Sequence, residues 1–259
     1  MPLAKGSAME RLFGLSKSGT SVGIEVGAGL TTFMAMAYIA FVNPQMMANT
    51  GMDQGASFVA TCLAAAIACL FMGLYANWPI GLAPGMGLNA FFTYTIVGDM
   101  GYSWQTALGA VFIAGILFVL LTVTRLREWM LVSIPWNLRI AMGAGIGLFV
   151  GLIGLKNGGI IIDHPATLLA LGDFKVVETG LAGLSFLIIT SLAVRQFPGA
   201  ILIGILAVTG MGLLLDVVHY QGIVSMPPSI EPVLGQLDIV AALDTAMVSA
   251  IASILFVNL

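Results

Sequence analysis

The stretch QGASFVATCLAAAIACLFMGLYANWPIGLAPGMGLNAFFTYTIVG, residues 54–98, contains no Asp, Glu, Lys or Arg. A transmembrane helix needs about 20 predominantly apolar residues, so this run is too long for one span and long enough for two. The division falls at Asn77-Trp78-Pro79, where an interfacial aromatic meets a helix breaker. Further uncharged runs cover 26–52, 100–124, 140–155, 179–194, 196–215 and 245–259. Spans are therefore expected near 22–46, 56–76, 80–97, 103–123, 137–155, 179–197 and 199–217, with an eighth starting near 241. Only 8% of the 259 residues are charged and 59% are apolar. A soluble domain carries about 25% charge, which excludes a soluble enzyme, a nucleic-acid binder and a disordered chain. The fold class is an all-α polytopic membrane protein.

Orientation follows from the basic residues. An N-terminus inside the cell places Lys5, Arg11, Lys17, Arg125, Arg127, Arg139 and Arg195 on the cytoplasmic side and leaves Lys156 and Lys175 outside. Residues 1–21 read as a cytoplasmic N-terminus without the apolar core of a cleavable signal. Residues 124–136 mix charges, Trp129 and apolar positions at helical spacing, as in a short helix lying in the interface; an ordinary loop with an aromatic anchor is the alternative. Residues 218–240, with Pro227, Pro228 and Pro232, read as an extended extracytoplasmic loop. Residues 241–259 read as the start of an eighth span that stops within an apolar run. A helix end in hydrocarbon strands its last carbonyls, which leads to the expectation of a fragment.

The second half of the longest run carries the chemistry. Trp78-Pro-Ile-Gly-Leu-Ala-Pro-Gly-Met-Gly-Leu-Asn-Ala-Phe-Phe92 places Pro79, Gly81, Pro84, Gly85 and Gly87 at the start of a short membrane segment. A continuous helix is disfavoured there. With residues 81–85 extended and a helix beginning near Gly87, free backbone N–H groups and the positive end of a half-helix point into the bilayer. Irregular backbone at that depth is tolerated where it is buried in protein or lines a cavity, and an interrupted span points to a transporter binding site. A Pro-kinked packing helix is the alternative.

Asn89 offers an amide that could bind a small polar ring or tie two helices together. Asn43, Pro44 and Gln45 carry the same ambiguity, and Thr31 and Thr32 have the option of bonding back to their own helix. Thr61 is read as a packing position.

Other signals carry less. The 32 glycines exceed the roughly 7% average, and Gly143, Gly147 and Gly151, four apart, suggest a close-packing face. Gly85 to Ala90 fits a dinucleotide-binding pattern but follows no soluble strand, so it is rejected. Cys62 and Cys69 share a helix face and read as small core residues. His164 and His219 have no partner at metal-ligand spacing, and the methionines read as packing. Glu25 is expected to reach the interface, with a proton-relay role as the lesser reading.

Long matches in order resemble the AzgA-like guanine/hypoxanthine/adenine permeases, relatives of the uracil and xanthine permeases in the nucleobase cation symporter family. They are Arg11-Leu-Phe-Gly14, Gly29-Leu-Thr-Thr-Phe-Met-Ala-Met-Ala-Tyr-Ile39, Val42-Asn-Pro-Gln45, Gly81 to Phe92, Ile134-Pro135 with Leu138-Arg139, Gly143-Ala-Gly-Ile-Gly-Leu-Phe149, Gly154-Leu-Lys-Asn-Gly-Gly-Ile160 and Phe197-Pro-Gly199. The resemblance implies fourteen spans in two inverted seven-span repeats, of which about 7.5 are present here. Residues 22–123 would be core spans 1–4, 137–217 gate spans 5–7, and 241–259 the truncated start of core span 8.

The third span of each repeat would hold a short strand and a half-helix. A purine nucleobase would sit between the half-helices, with proton-coupled uptake by elevator-type movement of core against gate. Asn89, Ala83, Gly85, Met86 and Gly87, with Gln45 and Thr32, would line the site from this half.

The resemblance further implies no enzymatic activity, no metal or cofactor beyond the coupling proton, and residence in the bacterial inner membrane. Membrane lipid and a homodimer partner are expected, and no nucleic acid. The family usually has an acid in the eighth span; here Phe256-Val-Asn258-Leu259 has Asn258 at that coupling-region position. With one half-helix the 259-residue chain alone is not expected to transport. The same fold acting on uracil, xanthine or an anion, and a truncated inactive membrane protein, are the alternatives.

Overall fold

The computed structural model describes residues 13–15, 17, 19–124, 126–197, 199–220, 222, 225–243 and 247–257. Lys5, Arg11, Arg125 and Asn258, all used in the reading above, lie outside the described residues, as does the side chain of Trp129. The elements in order are α1 (Val22–Met36), α2 (Ile39–Ala48), α3 (Gln54–Phe71), α4 (Met86–Ala90), α5 (Trp104–Val123), α6 (Leu126–Ser133) and α7 (Trp136–Asn157). A hairpin of β1 (Ile161–His164) and β2 (Leu168–Leu171) follows, then α8 (Val177–Val194), α9 (Ala200–Leu214), α10 (Ile239–Ala242) and α11 (Val248–Val257). Wide π-helical turns extend α3 over Met72–Ala76 and α4 over Phe91–Asp99.

Among the described residues, five helical stretches are long and apolar enough to cross a membrane: Val22–Ala48, Gln54–Ala76, Trp104–Val123, Trp136–Asn157 and Val177–Val194. The shorter Ala200–Leu214 is equally apolar in character. Large apolar side chains stand exposed along these helices, including Phe71, Val123, Leu148 and Leu214. Such a surface suits hydrocarbon rather than water, and the protein is a polytopic membrane protein. The span boundaries match the uncharged runs because helix length and hydropathy are both set by bilayer thickness.

The first span is interrupted at Ala37-Tyr38, where the amides of Ala40 and Phe41 bond back three residues, to the carbonyls of Ala37 and Tyr38. Pro44 lies inside α2 and is fully buried. Its ring cannot donate and crowds the carbonyl four residues earlier, so the tightened turn falls just upstream of it. Within the segment 124–136, Leu126–Ser133 is helical and forms α6. Arg127 lies over the Phe118 ring at 4.9 Å, and Arg139 over the Trp136 ring at 5.3 Å.

The chain divides into two compact units, residues 1–41, 61–84 and 155–226, and residues 42–60, 85–154 and 227–259. In the first, α8 and α9 pack closely: a Cβ at Gly204 would overlap Ile189, and one at Gly199 (φ +75°) would lie 2.5 Å from Met34 Cε of α1. The hairpin, absent from the sequence reading, pairs Ile161 with Leu171 and His164 with Leu168 in antiparallel register. His164 Nδ1 accepts from the amides of Ala166 and Thr167 at 3.2 and 3.3 Å, so this imidazole organises a turn. Lys156 pairs with Asp163 at 2.8 Å, joining the end of α7 to β1.

In the second unit, Ala107, Ala110 and Ala114 form one fully buried face of α5. Ile96, Ala242, Met247, Ala250 and Ile254 close over it. Small residues let membrane helices approach backbone to backbone, and a Cβ at Gly109 would overlap the Asp238 carbonyl oxygen. Asp238 starts α10 by accepting the Ala241 amide at 2.9 Å, and its own amide donates to the Gln105 carbonyl at 3.1 Å. The packing expected at Gly143, Gly147 and Gly151 is not formed: all three are exposed, with no described atom within 4 Å of a Cβ placed there.

Candidate binding site

The longest uncharged run breaks where its composition places the break. Wide π turns loosen the end of α3, and Asn77 closes it in the left-handed conformation (φ 49°, ψ 43°), which an asparagine tolerates better than most side chains. The chain then runs without helix or strand from Trp78 to Gly85, turning at Pro79 where the Ile80 amide donates to the Trp78 carbonyl at 2.9 Å, and helix resumes at Met86. The expected start near Gly87 is thus shifted by one residue. Residues 78–85 form no ladder among the described residues. A ladder needs a second strand, and the groups of Leu82 are taken by a thiol: Cys69 Sγ accepts the Leu82 amide at 3.1 Å, and its S–H donates to the Leu82 carbonyl at 3.3 Å.

In the first unit this segment lies against α1. A Cβ on Gly81 would stand 2.6 Å from Met36 Sδ and 2.8 Å from Thr32 Cγ2, so a glycine is required for this approach. A cavity of about 580 Å³ lies alongside, lined by Glu25, Thr32, Cys62, Trp78 and Ala83 among others. Thr32 and Ala83 are thereby brought to one cavity wall. The hydroxyls of Thr31 and Thr32 both donate to carbonyls four residues back, at 2.9 and 3.0 Å. Thr61, read as a packing position, is buried and also borders the cavity. Glu25, expected to reach the interface, is another part of its wall.

In the second unit Gly85 (φ −79°, ψ 119°) precedes the half-helix as its N-cap and offers no side chain to the first-turn amides; its carbonyl accepts the Asn89 amide at 3.1 Å. Met86 is half-buried against the apolar cluster, and a Cβ on Gly87 would meet Ile146 Cγ2 at 2.8 Å. Asn89 Nδ2 donates to Asn43 Oδ1 at 2.6 Å. Asn43 is buried, at 7% exposure, on α2. Of the two roles open to Asn89, the helix tie is therefore made. That bond uses one amide hydrogen and leaves the carbonyl and the second N–H of Asn89 for another partner. Gln45, on the same helix as Asn43, is exposed. Thr93 donates to the Met46 carbonyl at 3.4 Å, a second tie between the half-helix and α2.

The role of Cys69 was missed in the sequence, where both cysteines read as core filler. A thiol can both donate and accept, but that it faces this segment is set by the fold.

The chain is similar in sequence to known proteins. A model of the Permease family, that of the xanthine/uracil permeases, matches residues 23–259. Adenine permease AdeP of Escherichia coli (strain K12) is 46% identical over 251 residues, covering 97% of this chain and 56% of its own length. Adenine permease AdeQ of the same organism is 45% identical over 255 residues, 98% of this chain and 57% of its own length. Guanine/hypoxanthine permease PbuG of Bacillus subtilis (strain 168) is 40% identical over 238 residues, 88% of this chain and 54% of its own length. The chain thus spans just over half the length of these relatives. With apolar spans, a broken third span and this extent of matching sequence, the chain belongs to the Permease family and is akin to its adenine and guanine/hypoxanthine permeases.

Proposed function

We propose that the full-length protein takes up purine nucleobases by proton-coupled secondary transport across the inner membrane, with its N-terminus in the cytoplasm. The observation that carries this reading is the unwound stretch from Asn77 to Gly85 leading into a helix at Met86, with Asn89 on its first turn. First-turn amides without a side-chain cap and the unspent donor and acceptor of Asn89 suit the mixed N–H and lone-pair edge of a purine. Ala83, Gly85, Met86 and Gly87, with Gln45 and Thr32, complete this half of the site. The other half-helix would come from the second of two inverted seven-span repeats, and the third-span strand would pair in that setting. Core spans 1–4 and 8 would move against gate spans 5–7 as an elevator, and Asn258 would stand in the coupling region. Membrane lipid surrounds the spans, and a homodimer is the assembly proposed.

The adenine permeases AdeP and AdeQ share more of this sequence than PbuG does, so adenine is the first base to test. Cells expressing the full-length protein should accumulate labelled adenine, hypoxanthine or guanine, and a protonophore should abolish the uptake. A folded, membrane-inserted protein that accumulates none of the three would end this reading. A second reading, uracil or xanthine as substrate, draws on the name of the matching family; competition by unlabelled bases separates the two.

A further inference from the structure

A segment without helix or strand inside a bilayer has backbone groups that water cannot reach, and each unsatisfied group there costs several kcal/mol. Residues 78–85 meet this problem next to the residues proposed to bind the base. At Leu82 both backbone groups meet one side chain, the Cys69 thiol, which accepts at 3.1 Å and donates at 3.3 Å. One atom thus does at this point what a neighbouring strand would do in a sheet, and Cys69 is held for the task by the helical ladder of α3. One residue before Leu82, Gly81 is pinned against Thr32 and Met36; one residue after it, Ala83 reaches the cavity wall.

We infer that Cys69 is a positioning residue: its thiol clamps Leu82 and so sets the path of the chain from Gly81 to Ala83 along the cavity wall. It does not touch the base. Cys62, two helical turns earlier on the same face, borders the cavity but makes no bond to this segment. The inference concerns the backbone of the protein itself; only its transport readout rests on the nucleobase-permease reading.

The test uses the full-length protein in lipid nanodiscs and in cells, as wild type, Cys69→Ala, Cys69→Ser and Cys62→Ala. Deuterium exchange over residues 80–83 should quicken about 3- to 10-fold in Cys69→Ala, the range for one lost hydrogen bond. Cys69→Ser, which still donates and accepts, should restore protection, and Cys62→Ala should leave it unchanged. In uptake, Cys69→Ala should raise the KM for purine by a similar factor with the maximal rate less affected, and serine should lower it again. Unchanged exchange in a folded Cys69→Ala protein, or equal exchange in the alanine and serine variants, overturns the clamp. Wild-type protein that takes up no purine refutes the transport reading, while the exchange comparison still decides the clamp.

Discussion

The bond between Asn89 and Asn43 joins the half-helix to the first span, and a double-mutant cycle measures what it is worth. The donor and acceptor are 2.6 Å apart and Asn43 is buried. Amide pairs in water contribute a net of about 1 kcal/mol. Between membrane helices the measured average is about 0.6 kcal/mol and the maximum about 1.7. The short distance and burial place this pair in the upper part of that range, at about 1–1.5 kcal/mol of coupling. Asn43→Ala, Asn89→Ala and the double variant would be unfolded at equilibrium in mixed detergent micelles, with tryptophan fluorescence as the probe. Each single change should destabilise the protein, and the double change by about 1 kcal/mol less than their sum. Additivity within about 0.3 kcal/mol would show that the two amides do not act together, and the helix-tie reading would fall.

Three smaller perturbations probe the packing around the site. Gly109→Ala drives a methyl group into the Asp238 carbonyl oxygen, and overpacking of that kind costs about 1–3 kcal/mol; a thermal melt should show it, while Thr209→Ala, an exposed hydroxyl bonded to its own helix, should melt with the wild type. Asp238→Ala removes the cap on the Ala241 amide and should lower stability by about 1 kcal/mol, with Asp238→Asn recovering most of it. Lys156→Ala breaks an ion pair whose side chains are 54% and 71% exposed, so it should change stability by less than about 1 kcal/mol.

Much of this architecture is written in hydropathy. Bilayer thickness fixes span length, so the charge-free runs lie close to the five long spans and to α9, and the Pro and Gly residues of 79–87 marked the unwinding because they lack a donor or a Cβ. Asn89 was legible as a polar group in the right place, but its partner was not, since Asn43 lies 46 residues away and only packing selects it. Cys69 was misread for a related reason. Leu82 follows Cys69 by 13 residues, across the wide turns that end α3 and a segment that turns at Pro79, and only the fold brings the two together. The hairpin at 161–171 escaped because its strands are four residues each and carry no clear alternation. The small-residue face at Gly143, Gly147 and Gly151 shows the converse: a sequence motif states that close approach is sterically open, and not which surface makes it.

In the proposed function the first turn of the half-helix at Met86 binds the base through Asn89. Equilibrium binding of labelled adenine to the full-length protein in nanodiscs tests it most directly, comparing wild type, Asn89→Ala and Thr209→Ala, with stability measured in parallel. Asn89→Ala should weaken binding about 3- to 10-fold, as for a lost hydrogen bond, and Thr209→Ala should bind as the wild type does. Equal affinity in all three folded proteins would contradict it and leave Asn89 as a tie between helices and nothing more.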